Sequence, residues 1–237
     1  MGALGIEVQA DLPGIGRNLV DHPLASVALP APAEPRRTAR YQAMVTLASP
    51  HSSRPDLHIF AAGPFGTDSR AAAGGAVLGV GFALVKPDSR GTVRLASPDP
   101  DAPPRIDPAH LRDPQDRKRM LFALREARRL VRTAPLSELV IGPEMAPASG
   151  IGDHDTKRLT AALAGQVWSY HDPVGTCAMG ADPAEGAVVD PRGRVHAIRN
   201  LVVADASIMP TVPAANTNLP TIMVAERIAA WLTGTAG

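Results

Sequence analysis

Between residues 41 and 96 the chain alternates short strand-like runs with glycine and proline, and this punctuation constrains the fold more than any other feature. The runs are Tyr41 to Leu47, Asp56 to Ala61, Ala76 to Val85 and Thr92 to Ala96, broken by Gly63, Pro64, Gly66, Gly74, Gly75, Pro87 and Gly91. Parallel strands need crossover connections, usually helices, whereas antiparallel strands are joined by turns. Turn formers fill these gaps, so the spacing predicts an antiparallel sheet rather than repeated strand–helix units.

A helix should follow. Asp113 is placed to cap it, Pro114 suits its first position, and Asp116 puts a negative charge where the macrodipole favours one. Met120, Leu124, Ala127 and Val131 recur at helical spacing to about Arg132, widened by Leu121 and Leu130, with arginines and a lysine forming a solvated face. A second helix is predicted from about Asp153 to Ala164. Residues 1–24 read as a connector loop rich in turn formers, and Ala31 to Arg40 as an exposed, mobile loop.

Hydrophobic content of 45% with 20% charged residues is that of a globular chain able to bury a core. A net charge of +1 gives no bulk attraction for nucleic acid or an anionic membrane. No apolar run is long enough to span a bilayer and no export signal is visible, so neither a membrane nor a nucleic-acid partner is expected. The single cysteine, Cys177, excludes an intramolecular disulfide and a cysteine-cluster metal site, which makes the cytoplasm the expected compartment.

Leu201 to Ala204 is a short apolar run, predicted to be a strand buried on both faces with Asp205 at its carboxyl end. Ligands gather at such ends in open α/β sheets, although an acid there can equally cap a turn. A helix should follow from Ile222 to Leu232, apolar almost all round in its first half. Asn218 is placed to cap it, Pro220 to sit in its first turn and Gly234 to end it. Such a helix start offers unsatisfied N–H groups and partial positive charge to an anion.

Three strings carry a resemblance: residues 11–23 (DLPGIGRNLVDHP), 170–180 (YHDPVGTCAMG) and 201–221 (LVVADASIMPTVPAANTNLPT), with VVDPRGRV at 188–195 between the last two. In this order they resemble the C-terminal, active-site part of the glucose-methanol-choline (GMC) flavoprotein oxidoreductases. The resemblance implies an α+β fold. An antiparallel-sheet substrate-binding domain with flanking helices spans 25–165, and residues 166–237 form an active-site segment whose C-terminal strand and helix close an FAD-binding domain. It further implies FAD as cofactor, a small-molecule alcohol as substrate, and cofactor contacts from Asp205, Ala206, Asn216, Thr217, Asn218, Pro220 and Thr221. No strand–GxGxxG–helix pattern is present, so the nucleotide-binding part is expected on a separate N-terminal chain, or else this chain is a non-catalytic remnant.

By the same resemblance the base that takes the alcohol proton lies at residue 171 or 172, and Asn218 hydrogen-bonds the substrate oxygen. The family's histidine directly precedes Pro-Val-Gly-Thr. Here Asp172 holds that position and His171 stands one earlier, on the opposite face of an extended segment. Three readings stay open: Asp172 is the base with a pKa raised by burial, a bulge swings His171 into place, or the site is inactive. His22 is expected to fix loop geometry. His51, His58, His110, His154 and His196 read as surface or satisfied histidines without metal-ligand spacing, and Cys177 as a packed thiol.

Overall fold

A computed structural model describes residues 2–32, 41–50, 52–65 and 76–234. The chain divides into two compact units that interleave along the sequence. One comprises Met1–His22, Ser89–His110 and His171–Gly237, the other Pro23–Asp88 and Leu111–Tyr170. Residues 89–110 therefore group with the two termini rather than with the remainder of 25–165.

The second unit is built on a five-stranded, wholly antiparallel sheet. Its strands are β1 (Pro23–Ala31), β2 (Tyr41–Leu47), β3 (Leu57–Phe65), β4 (Ala76–Leu84) and β7 (Trp168–Ser169), in the order β2-β3-β4-β1-β7. The predicted antiparallel sheet is present, but the sequence reading ended a loop where β1 begins. In β1, Ala25, Val27, Leu29 and Ala31 are buried and Ser26, Ala28 and Pro30 half-buried, the period-two pattern of a strand with one covered face. Pro23 and Pro30 disguise that pattern, since proline normally argues against an inner strand. Ala31 closes β1, and residues 33–40 of the predicted mobile loop lie outside the described residues.

Helix α1 (Pro114–Val131) covers one sheet face, placing Met120, Leu124 and Ala127 in one core with Val27, Ile59 and Phe82. The predicted cap is present: the Asp113 Oδ1 accepts from Gln115 N at 2.6 Å. Helix α2 (Thr156–Ala164) adds Leu159 and Leu163 to this core; it starts three residues after the expected Asp153 and is capped by Asp155. The basic face of α1 is not simply solvated. Arg128 is buried, with Nε and Nη2 forked onto Glu144 at 2.7 and 2.9 Å and Nη1 on Asp153 at 2.7 Å. Its planar fork satisfies both carboxylates at once, an arrangement that periodicity cannot reveal.

In the first unit the run at Thr92 yields only β5 (Thr92–Arg94), paired with β6 (Arg105–Asp107) in a separate ribbon. It leaves the main sheet because it bonds to the 16–19 loop: Val93 N donates to Gly16 O at 2.7 Å, and Leu19 and Gly91 exchange backbone hydrogen bonds. A Cβ on Gly16 would lie 2.1 Å from Val93 O, so the close approach needs glycine there.

Two further expectations are corrected in this unit. Leu201 to Ala204 is not a strand buried on both faces: it makes one bridge, Arg194 to Val202, and Leu201 is exposed. The tight turn at 190–193 supplies its neighbour on one side only, through Val203 N to Gly193 O at 2.8 Å. Helix α3 runs Asn218–Thr233, starting four residues before Ile222, with Thr217 at the cap position and Asn218 its first residue. Within the described residues α3 buries Ile228 but leaves Leu219, Ile222, Met223 and Leu232 exposed, Leu219 at 75%. No helix among the described residues is long and apolar enough to cross a membrane.

Candidate active site

Three loops of the first unit are laced together by backbone hydrogen bonds. Val20 and Val174 exchange a pair at 3.0 and 2.8 Å, and Gly16 N donates to Thr176 O at 2.9 Å, which ladders residues 16–20 against 174–176. Gly175 has φ +95°, and a Cβ on it would stand 2.3 Å from Asn18 O. On the other side Cys177 N donates to Ser207 O and Met179 N to Ile208 O, both at 2.8 Å. The motif segment thus lies between the 16–20 loop and the 3₁₀ turn Ala206–Ile208.

That turn packs against α3, with Ala206 and Val224 in one apolar cluster. Asp205 is exposed and caps the turn, its Oδ1 accepting from Ser207 N at 2.8 Å and from Ser207 Oγ. Thr221 N donates to Thr217 O at 2.9 Å, closing the first turn of α3 with Pro220 inside it. Asn216 and Asn218 are exposed on either side of buried Thr217.

Asp172 is the best-held side chain of the site, and is 4% exposed. Its Oδ1 accepts from Thr217 N at 2.8 Å and Thr217 Oγ1 at 2.7 Å, while its Oδ2 lies 3.2 Å from His22 Nδ1 and 3.4 Å from Asn216 Nδ2. Burial on its own would push the carboxyl pKa up, but the hydrogen bonds from His22 and Thr217 outweigh it and hold Asp172 below the usual carboxylate range. This is opposite to the raised pKa that a base role for Asp172 requires. The carboxylate at the N-cap also meets the positive end of the α3 dipole.

His171 is exposed, with φ +68°. Left-handed backbone is uncommon outside glycine, though histidine is among the residues enriched there. This is a local backbone change of the kind that separates the faces of residues 171 and 172, with Asp172 turned inward. The structure brings His22, Asp172, Asn216 and Thr217 together. It does not bring Asn218 into that set, since Asn216 is the amide beside residue 172.

Neither the pairing of His22 with Asp172 nor the place of Thr217 as cap and partner is visible in the sequence. Hydrogen-bond capacity was the one available signal, and it names no partner 150 residues away. Cys177 is half-buried and burial pushes its thiol pKa up, as fits a packed thiol. It lines an open cavity of about 640 Å³ with Val8, Ile15, Arg17 and Leu95, which includes neither His171 nor Asp172.

Residues 87–225 match the sequence model of the GMC oxidoreductase family. The chain is 36% identical, over 96% of its length, to 5-(hydroxymethyl)furfural oxidase of Methylovorus sp., and 32% identical, over 98%, to oxygen-dependent choline dehydrogenase of Rhizobium etli. It covers 45% and 46% of those proteins. The crystal structure of pyridoxine 4-oxidase from Mesorbium loti superimposes with a TM-score of 0.86 at 31% identity, covering all of this chain and 47% of that one. The chain thus spans about half the length of these relatives. The matched family model and these identities agree: the chain belongs to the GMC oxidoreductase family.

Proposed function

We propose that this chain is the substrate-side half of an FAD-dependent oxidoreductase that oxidises a primary or secondary alcohol, with His171 accepting the hydroxyl proton. The observation that carries this reading is the division of labour at 171–172: Asp172 is buried among four donor atoms with a lowered pKa, whereas His171 is exposed. A base must reach the proton it takes, and histidine is suited to that task near neutral pH. Relatives named for alcohol, choline and 5-(hydroxymethyl)furfural support a CH–OH donor.

The residues present fit a flavin's chemistry. Of the first four N–H groups of α3, which lack intrahelical partners, that of Thr217 is taken by Asp172 and Pro220 has none. Asn218 and Leu219 thus bring two backbone donors and the helix dipole to an anionic edge. Ala206, packed with α3, and Asp205, beside it, supply further contact. FAD, when bound, would accept the hydride from the alcohol carbon. The exposed amides of Asn216 and Asn218 offer hydrogen bonds to the substrate oxygen, Asn216 being the one beside residue 172. A nucleotide-binding partner segment and a cytoplasmic location belong to the same proposal.

A second reading, a non-catalytic remnant, is favoured by Asp172 itself, which stands buried where the family has histidine. The test is to combine the chain with a complementary FAD-binding segment of a relative and follow bleaching of oxidised flavin by alcohols without oxygen. Reduction supports the enzyme reading. A complex that binds FAD yet is never reduced by any alcohol supports the remnant.

A further inference from the structure

We infer that His22 and Asp172 form a buried, proton-locked positioning pair that sets both the outward turn of His171 and the start of α3. The inference rests on the proposed role of His171 for its functional meaning, but its structural content stands apart from that role. His22 is fully buried, and its two ring nitrogens both face acceptors: Nδ1 the Asp172 Oδ2 at 3.2 Å, Nε2 the Pro213 carbonyl at 3.1 Å. A carbonyl oxygen only accepts, so Nε2 carries a proton. One further proton lies between Nδ1 and Oδ2. Asp172 already accepts from Thr217 N and from Asn216 Nδ2, so that proton belongs on the imidazole and the pair is ionic.

The pair joins three stretches far apart in sequence. His22 comes from the 11–22 loop, Asp172 from the motif, and Pro213, Asn216 and Thr217 from the turn that opens α3. A second buried carboxylate fixes the backbones alongside: the Asp21 Oδ1 accepts from His22 N at 2.8 Å and from Asp172 N at 3.1 Å. His110 Nε2 lies 3.5 Å from Asp21 Oδ2, so the charged and titratable groups near the pair include Asp21, His110 and the adjoining His171. Asp172 is held through its backbone N–H by Asp21 and through its carboxylate by Thr217, so the residue that follows His171 is fixed both at its backbone and at its side chain. The left-handed backbone at His171 is the way the chain meets that constraint. Asp172 is therefore a positioning residue that acts through His171 and Thr217.

The test reads ring-nitrogen protonation by long-range proton–nitrogen NMR on the full chain at about pH 7, where an unconstrained histidine is mostly neutral. His22 should carry protons on both nitrogens in the parent, and on Nε2 alone in Asp172→Asn. His22→Gln, which keeps a donor amide in the site, provides a folded control that removes the His22 signal. A parent His22 protonated on one nitrogen only overturns the pair. No flavin enters this measurement, so its outcome is separable from the alcohol-oxidation reading. In the FAD-reconstituted complex Asp172→Asn should lower the flavin reduction rate by up to about 100-fold, the scale of an ångström of misplacement, while leaving the midpoint of the pH–rate profile in place. Loss of that pH dependence in Asp172→Asn would make Asp172 itself the base and overturn its positioning role.

Discussion

Removing the Asp172 carboxylate should be among the most destabilising single changes in the first unit. Asp172→Ala leaves the His22 imidazole, the Thr217 N–H and the Thr217 hydroxyl buried without their acceptor. Breaking a buried ion pair by deleting one partner costs about 3–5 kcal/mol, against a typical total stability of about 5–15 kcal/mol. Trp231 packs within this unit and Trp168 lies in the other, so urea unfolding followed by fluorescence in a Trp168→Phe background reports the relevant unit. At a slope of about 1–3 kcal/mol per molar urea, the midpoint should fall by more than about 1 M. Because the folded pKa of Asp172 is depressed, its contribution is full above the unfolded carboxylate value of about 3.9 and is lost as pH falls through the lower folded value. The parent and Asp172→Ala curves should therefore stay apart at neutral pH and converge in acid. A loss below about 1 kcal/mol at pH 7, or a gap that closes near neutrality, would refute the buried-pair argument.

Other perturbations test the remaining structural claims. Arg128→Ala strips Glu144 and Asp153 of a buried partner and should cost about 3–5 kcal/mol in denaturant unfolding of the sheet unit. Gly175→Ala forces a side chain into positive φ against Asn18 O and should lower Tm, with a cost of about 1–3 kcal/mol or more. Asp113→Ala removes the α1 cap and should cost about 1 kcal/mol by the same unfolding measurement. The raised thiol pKa of Cys177 predicts alkylation at about pH 8.5 that is slower than for a free cysteine thiol and speeds up on unfolding.

What was legible in the sequence was whatever local chemistry dictates. The α1 stripe of Met120, Leu124, Ala127 and Val131 follows from helical period, and its Asp113–Pro114 start from capping. The antiparallel sheet follows from turn residues between apolar runs. What failed depended on partners that one sequence does not name. β1 lies inside the sheet despite Pro23 and Pro30 because β4 and β7 flank it. The Thr92 run leaves the sheet because Gly16 and Leu19 take its hydrogen bonds. Leu201 to Ala204 and the apolar side of α3 read as buried from composition, yet their exposure depends on neighbours that the pattern cannot supply. At the site the strings at 170–180 and 201–221 named segments that the fold brings together, whereas the partners of Asp172, His22 and Thr217, lie too far away in sequence to be read from it.

The most direct test of the central claim is the single-turnover rate of flavin reduction by an alcohol in the FAD-reconstituted complex, compared between His171→Ala and the parent. Loss of a general base typically slows the step by about 10²- to 10⁴-fold. His171→Ala should lose activity in that range, recovered in part as pH rises and the alcohol proton leaves more readily to solvent. A His171→Ala complex that binds FAD and reduces it at the parent rate would contradict the assignment.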